Sequence, residues 1–199
     1  MRKRVNLCIP KFIEGRGKTM IYLVTGGSGS GKSEYAESLI TASPFSNRIY
    51  LAAMEAYGEE GRRRVQRHRK LRQGKGFSTI ERPRNLNGVL TEEQKGGAIL
   101  LECLSNLAAN QLFGPDGMGD SAEAEQAMKE GILYLAENCR LLVVVTNEIF
   151  SDGMDYGTET GCYICLLGRM NQWLAQRADM VVQVTAGIPV ILKGSSKGW

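Results

Sequence analysis

Gly26-Gly27-Ser28-Gly29-Ser30-Gly31-Lys32-Ser33 fits the pattern G-x-x-x-x-G-K-[ST] at every fixed position. The run Ile21-Tyr22-Leu23-Val24-Thr25 before it reads as a short buried strand, and Glu34 to Ile40 after it reads as a helix. Strand, glycine-rich turn and helix together form an anion cradle. Glycines let successive N–H groups converge on phosphate oxygens, and the positive end of the helix adds to their field. In such a cradle Lys32 reaches the terminal phosphates and the Ser33 hydroxyl ligates Mg²⁺. A Gly/Ser-rich turn that merely carries a lysine would not need both flanking elements. The expectation is a nucleoside triphosphate site.

Working outward, the chain alternates strands and helices. Arg48 to Ala53 reads as a second buried strand, Phe77 to Glu81 as a short alternating one, and Ala98 to Leu104 as a third core strand carrying Glu102. An apolar run ending in an acid puts a carboxylate at the carboxyl end of the sheet. Pro83 to Gln94 is expected to return through a helix, and helices are expected over Ser105–Phe113, around Ala124–Ala136 and over Thr160–Arg177. Gly114 to Asp120 reads as a loop. Leu141 to Thr146 is a fourth core strand with the polar exit Asn147-Glu148, and 180–184 with 188–192 suit a hairpin through Ala186-Gly187. These elements predict an α/β fold, a mainly parallel sheet with helices on both faces. Ligands then bind at the carboxyl ends of the strands. The phosphate loop, the loop after Ala53, Glu102 and Asn147-Glu148 converge there.

The 199 residues suit one domain over 20–199, with residues 1–19 as an extension outside the core. Apolar content of 43% and charged content of 23% are those of an ordinary globular chain. No apolar run has the length of a membrane span. Five scattered cysteines, an odd number, suit a reducing cytoplasm. Cys162-Tyr163-Ile164-Cys165 lacks a second pair or a histidine nearby, so it reads as small buried thiols on a helix rather than a zinc site.

His68 is the single histidine, and it lies among Arg62, Arg63, Arg64, Arg67, Arg69, Lys70 and Arg72 on a predicted helix over 58–72. A solvated basic helix, a phosphate-binding face for nucleic acid and a nucleophile for the α-phosphorus of a nucleotide all suit that pattern. No aromatic residue interleaves with the bases for stacking on single strands. Spacing does not choose among the three. Another small-molecule kinase and a nucleotide-regulated nucleic-acid module using 62–72 both remain open on these grounds.

Taken in order, the stretches Leu23 to Gly27 with Ser30 to Ser33, Ile49 to Ala52, Arg64 to Arg69, Thr79 to Glu81, Leu100 to Leu104, Val145 to Glu148, Gly168 to Ala175 and Ala178-Asp179 carry a resemblance. From about Met20 to Leu192 the chain resembles the bifunctional adenosylcobinamide kinase/adenosylcobinamide-phosphate guanylyltransferase family of cobalamin biosynthesis. The resemblance implies a RecA-like phosphate-loop fold and a homotrimer, with no nucleic-acid partner. It implies a kinase acting on adenosylcobinamide with ATP or GTP, followed by transfer of GMP from GTP through a guanylylated histidine. His68 and Lys32 fall on the catalytic positions. Gly26, Gly27, Ser28, Gly29, Ser30, Gly31, Lys32 and Ser33, with Ala52, Ala53, Met54, Arg69, Lys70, Leu71, Arg72, Glu81 and Glu102, fall on nucleotide-binding positions. Ser33 and Glu102 fall on those that hold Mg²⁺. Two departures stand out. Ala53-Met54 replace the family's usual Thr-Ser, and Ile149-Phe150 with Tyr163-Ile164-Cys165 replace its usual residues after Glu148.

Because the first strand follows Met20 at once, a chain begun at Met20 is expected to fold and act as the full chain does. Thermal unfolding and activity of the two forms check this. A large drop in melting temperature for the shortened form would contradict it.

Overall fold

The computed structural model describes residues 18–55, 59, 74–115, 117–149, 154 and 156–194. Its centre is a seven-stranded sheet built from β1 (Met20–Thr25), β2 (Arg48–Ala52), β3 (Ser78–Glu81), β4 (Ala98–Glu102), β7 (Leu141–Val145), β8 (Met180–Thr185) and β9 (Ile188–Lys193). Two short strands, β5 (Phe113–Gly114) and β6 (Gly117–Met118), pair separately. The order across the large sheet is β3-β2-β4-β7-β1-β8-β9, and every pairing is parallel except β8 with β9. β4 and β7 are buried along their whole length. That is why both read as unbroken apolar runs: a strand covered on both faces has no polar side to alternate with.

Alternate residues of these strands feed two cores. Tyr22, Val24, Tyr50, Leu100 and Val143 face α1 (Lys32–Thr41), which buries Tyr35, Ala36, Leu39 and Ile40. Leu23, Ile49, Leu51, Ile99, Leu101 and Val144 face the opposite layer. That layer holds α2 (Leu104–Leu112), α3 (Ser121–Glu137) and α4 (Thr158–Arg177). Helices therefore cover both faces of a mostly parallel sheet, as expected.

Residues 83–94 do not form the expected helix. Only Glu92–Gln94 makes a single 3₁₀ turn, opened by a capping box from Thr91. Asn85 (φ 48°) and Gly88 (φ 67°) both adopt left-handed backbone, which no helix tolerates in its interior. The segment is anchored by packing instead. Leu86 and Leu90 are buried in the core, and Leu86 sits where Gly131 leaves α3 without a side chain. Gly114 to Asp120 also differs from a plain loop, since it contains the β5–β6 pairing.

The β8–β9 hairpin turns through Ala186 (φ 50°) and Gly187 (φ 79°), so both central residues take positive φ. That backbone matches the right-handed strand twist of a two-residue hairpin loop. The turn reaches the phosphate loop: Gly187 N–H donates to Ser30 O at 2.8 Å. An added Cβ on Gly26 would stand 2.5 Å from Val184 O, so glycine is required there by close approach.

Leu86→Ala should cost about 2–5 kcal/mol by opening a cavity against α3. Leu133→Ala, at a side chain 43% exposed, should change stability by under about 0.5 kcal/mol. Denaturant unfolding of the two variants checks this. Equal losses would show that Leu86 does not anchor the 83–94 segment.

Candidate functional site

The strand order places the phosphate-loop strand β1 and the acid-bearing strand β4 on either side of β7. Gly31 caps α1 in left-handed backbone (φ 91°), turning the chain sharply from loop into helix. The free N–H groups and positive end of α1 then face the loop's hollow. Lys32 Nζ donates to Gly27 O at 3.0 Å, folding the ammonium over the loop. Ser33 Oγ donates to Glu102 Oε1 at 2.5 Å. This hydrogen bond joins residues from opposite sides of β7. Glu102 and Lys32 are both buried, a placement that suits charged groups beside polar partners.

A hydroxyl and a carboxylate in contact supply hard oxygen donors, the kind Mg²⁺ takes. Among the described residues no group of three or more His, Cys, Asp or Glu gathers that would hold a metal alone. Magnesium at Ser33 and Glu102 would therefore complete its shell with nucleotide oxygens and water.

Ala52 pairs in register with Glu81 on one side and Glu102 on the other. With strands about 4.8 Å apart, the two acids' backbones stand roughly 10 Å apart across the sheet's carboxyl edge. Glu81 is exposed at the edge strand. Of the residues after β2, Ala53 is turned inward. Its N–H donates to Glu102 O at 2.8 Å, its carbonyl accepts from Asn110 Nδ2 at 2.7 Å, and its methyl lies in the core. Ala52 and Met54 keep partly exposed surface. His68 and Arg69, Lys70, Leu71 and Arg72 lie outside the described residues, as does the helix expected over 58–72 apart from residue 59.

The structure adds Ser105, which no motif singled out, and gives partners to the expected residues at the exit of β7. Ser105, in the first turn of α2, is buried, and its Oγ accepts from Asn147 Nδ2 at 2.6 Å. The same oxygen lies 3.0 Å from Cys103 Sγ, and Tyr163 on α4 donates to Ser105 O at 3.4 Å. Thr146 Oγ1 donates to Asn171 Oδ1 on α4 at 2.8 Å, and Glu148 N–H donates to Gly26 O at 3.2 Å. The exit of β7 is thus tied to the phosphate loop, to α2 and to α4. Ser105 offered no signal in the sequence, because a lone serine acquires its partners only when β7 and α2 meet.

Gly168 to Ala175 falls on α4. Arg169 bonds Glu125 Oε2 at 2.5 Å and Ser121 Oγ at 2.8 Å. Lys129, with Arg169, holds the Glu125 carboxyl below the usual range. The Arg177 guanidinium stacks 4.4 Å above Trp173. Cys162 and Cys165 lie on α4 as expected but are not buried thiols: Cys162 is half-buried and Cys165 exposed. Among the described cysteines, Cys103 and Cys139 are buried. Burial pushes the Cys139 thiol up to about 12 and raises that of Cys103.

Comparison with known proteins agrees with this geometry. The family described as cobinamide kinase / cobinamide phosphate guanyltransferase matches residues 22–192. The chain is 34% identical to the bifunctional adenosylcobalamin biosynthesis protein CobU of Salmonella typhimurium, over 87% of this chain and 100% of that protein. It is also 34% identical to the protein of the same name from Escherichia coli, over 87% of this chain and 100% of that one. Among solved structures, an ATPase of the type III secretion system of pathogenic bacteria superposes with a TM-score of 0.50 at 15% identity. That superposition covers 85% of this chain and 53% of the ATPase, and it speaks to fold alone.

A thiol reagent near pH 8 should label Cys165 before Cys162 and leave Cys103 and Cys139 unmodified in the folded protein. A raised pKa leaves little thiolate at that pH, and burial blocks access. Peptide mapping by mass spectrometry checks this. Early labelling of Cys103 would contradict its place beneath the site.

Proposed function

The chain belongs to the cobinamide kinase / cobinamide phosphate guanyltransferase family, and from that membership we propose how its residues divide two reactions. The protein is a bifunctional enzyme of adenosylcobalamin biosynthesis. It phosphorylates cobinamide and then transfers a guanylyl group to cobinamide phosphate. The observation that carries the kinase half is the contact of Ser33 with Glu102 beside Lys32. It gathers a hydroxyl, a carboxylate and an ammonium at one edge of the sheet, groups suited to a metal ion and to phosphate oxygens.

In the kinase step the hydroxyl of adenosylcobinamide attacks the γ-phosphorus. The nucleoside diphosphate leaves with the electron pair of the broken phosphorus–oxygen bond, and the hydroxyl proton passes to water. Lys32 offsets charge on the terminal phosphates, and the N–H groups of residues 26–33 hold their oxygens. Ser33 and Glu102 would hold Mg²⁺, which when bound would neutralise charge on the terminal phosphates. Ala52 and Met54 border the nucleotide, Ala53 supports that border from within, and Glu81 contacts GTP from the far end of the row. In the second step His68 attacks the α-phosphorus of GTP, and pyrophosphate leaves with the electron pair of the broken bond. The phosphate of adenosylcobinamide phosphate then attacks the same phosphorus, gives adenosyl-GDP-cobinamide and frees the histidine. Arg69, Lys70 and Arg72 offset charge on the transferring and leaving phosphates, and Leu71 belongs to the same run of GTP-binding positions. A two-step route replaces one encounter of crowded anions with two positioned displacements. The ordered family resemblance around Arg64 to Arg69 supports this reading of His68. A cytoplasmic homotrimer completes the proposal, on the same resemblance and on the scattered free cysteines.

The experiment separates the halves. Lys32→Ala should lower phosphorylation of adenosylcobinamide by tenfold or more, since a charge-assisted contact contributes roughly 1.5–3 kcal/mol. His68→Ala should keep most of the kinase activity and lose guanylyl transfer to supplied adenosylcobinamide phosphate. Folded variants that lose both activities together would contradict the division.

A further inference from the structure

We propose that Asn147 holds the attacking hydroxyl of the kinase step and that Ser105 is the residue that positions it. The inference rests on the kinase reading above and adds the acceptor side of that site.

Three observations lead to it. First, β7 lies between β1 and β4, so the residue leaving its carboxyl end stands between the phosphate loop and Glu102. Glu148 N–H on Gly26 O and Thr146 N–H on Val24 O pin that exit against the loop. Second, Asn147 is half-buried at the rim, and Ser105 Oγ takes a hydrogen bond from its Nδ2 at 2.6 Å. Ser105 is itself 3% exposed and fixed by Cys103 Sγ and the Tyr163 hydroxyl. With the nitrogen turned to Ser105, the atom presented at the rim is Oδ1, which makes no hydrogen bond among the described residues. Third, that atom accepts and cannot donate. Phosphate oxygens near neutral pH also accept, so an amide oxygen beside them suits a donor, and the donor of this reaction is the acceptor substrate's hydroxyl.

Held by Oδ1 through its proton, the hydroxyl oxygen turns a lone pair toward the γ-phosphorus. A bond forms between that oxygen and the phosphorus as the bond from phosphorus to the β,γ-bridging oxygen breaks. The nucleoside diphosphate leaves with the electron pair. The hydroxyl proton passes to an oxygen of the new phosphate monoester and from there to water. Asn147 acts by orientation, not as a base, and orientation of this kind accounts for large rate factors.

The test uses the full chain with adenosylcobinamide and ATP, with GTP in parallel. Asn147→Ala should lower kinase kcat/KM by about tenfold to a hundredfold. Nucleotide affinity, acceptor-independent ATP hydrolysis and guanylyl transfer to supplied adenosylcobinamide phosphate should stay within about twofold. Asn147→Asp keeps an acceptor oxygen and should recover kinase activity to within about fivefold of wild type. Ser105→Ala should show a smaller kinase loss, restored by Ser105→Thr. Wild-type kinase activity in Asn147→Ala overturns the proposal. So does loss of nucleotide affinity in Asn147→Asp, which would place the atom against phosphate. So does equal loss of both activities. A wild-type protein that leaves adenosylcobinamide unphosphorylated overturns the kinase reading and this one with it. A wild-type protein that phosphorylates adenosylcobinamide, with variants that depart from these expected values, overturns this one alone.

Discussion

The hydrogen bond from Ser33 to Glu102 sets the terms for the rest of the molecule. It joins the first turn of α1 to the end of β4, two strands away from β1. Such a contact forms only if β1, β7 and β4 end level with one another. Their parallel register ensures this, since Leu23 pairs with Val144 and Val144 with Leu101. The wholly apolar β7 is the spacer that makes the distance right, and its burial on both faces leaves it no freedom to slip. The core therefore acts on the site directly: a shift of register would part the hydroxyl from the carboxylate.

Around this contact the polar groups are arranged by what supports them. The phosphate loop is backed by the β8–β9 turn through Gly187, and the end of β7 is backed by α2 and α4 through Ser105 and Asn171. Each support is a single hydrogen bond, between a hairpin turn and the phosphate loop or between a helix and the exit of β7. That division suits an enzyme whose loops must meet ligands while their bases stay fixed.

Much of this was legible in the chain. Buried parallel strands show as continuous apolar runs, so β1, β4 and β7 were readable, and Glu102 stood out as the acid closing one of them. The phosphate loop was readable because its backbone chemistry needs particular residues at fixed spacing. Residues 83–94 were misread because length and polarity suggested a returning helix. Positive φ at Asn85 and Gly88, with Leu86 and Leu90 as anchors, sets an irregular course there. Cys162 and Cys165 were misread as buried because helix phase relative to a neighbouring layer is a tertiary property. Ser105 and Asn171 belong to that class too. Their partners lie 42 and 25 residues away in sequence, and no local pattern announces those pairings.

The central claim is that one chain carries a phosphate-loop kinase and a separate nucleotidyl carrier. The most direct measurement is the intact mass of the wild-type protein after incubation with GTP and Mg²⁺, followed by peptide mapping of any adduct. The account predicts a GMP-sized addition on His68, labile in acid and stable in alkali as a phosphorus–nitrogen bond is, and discharged by adenosylcobinamide phosphate. No adduct, or one on a serine or threonine that acid leaves intact, would contradict it.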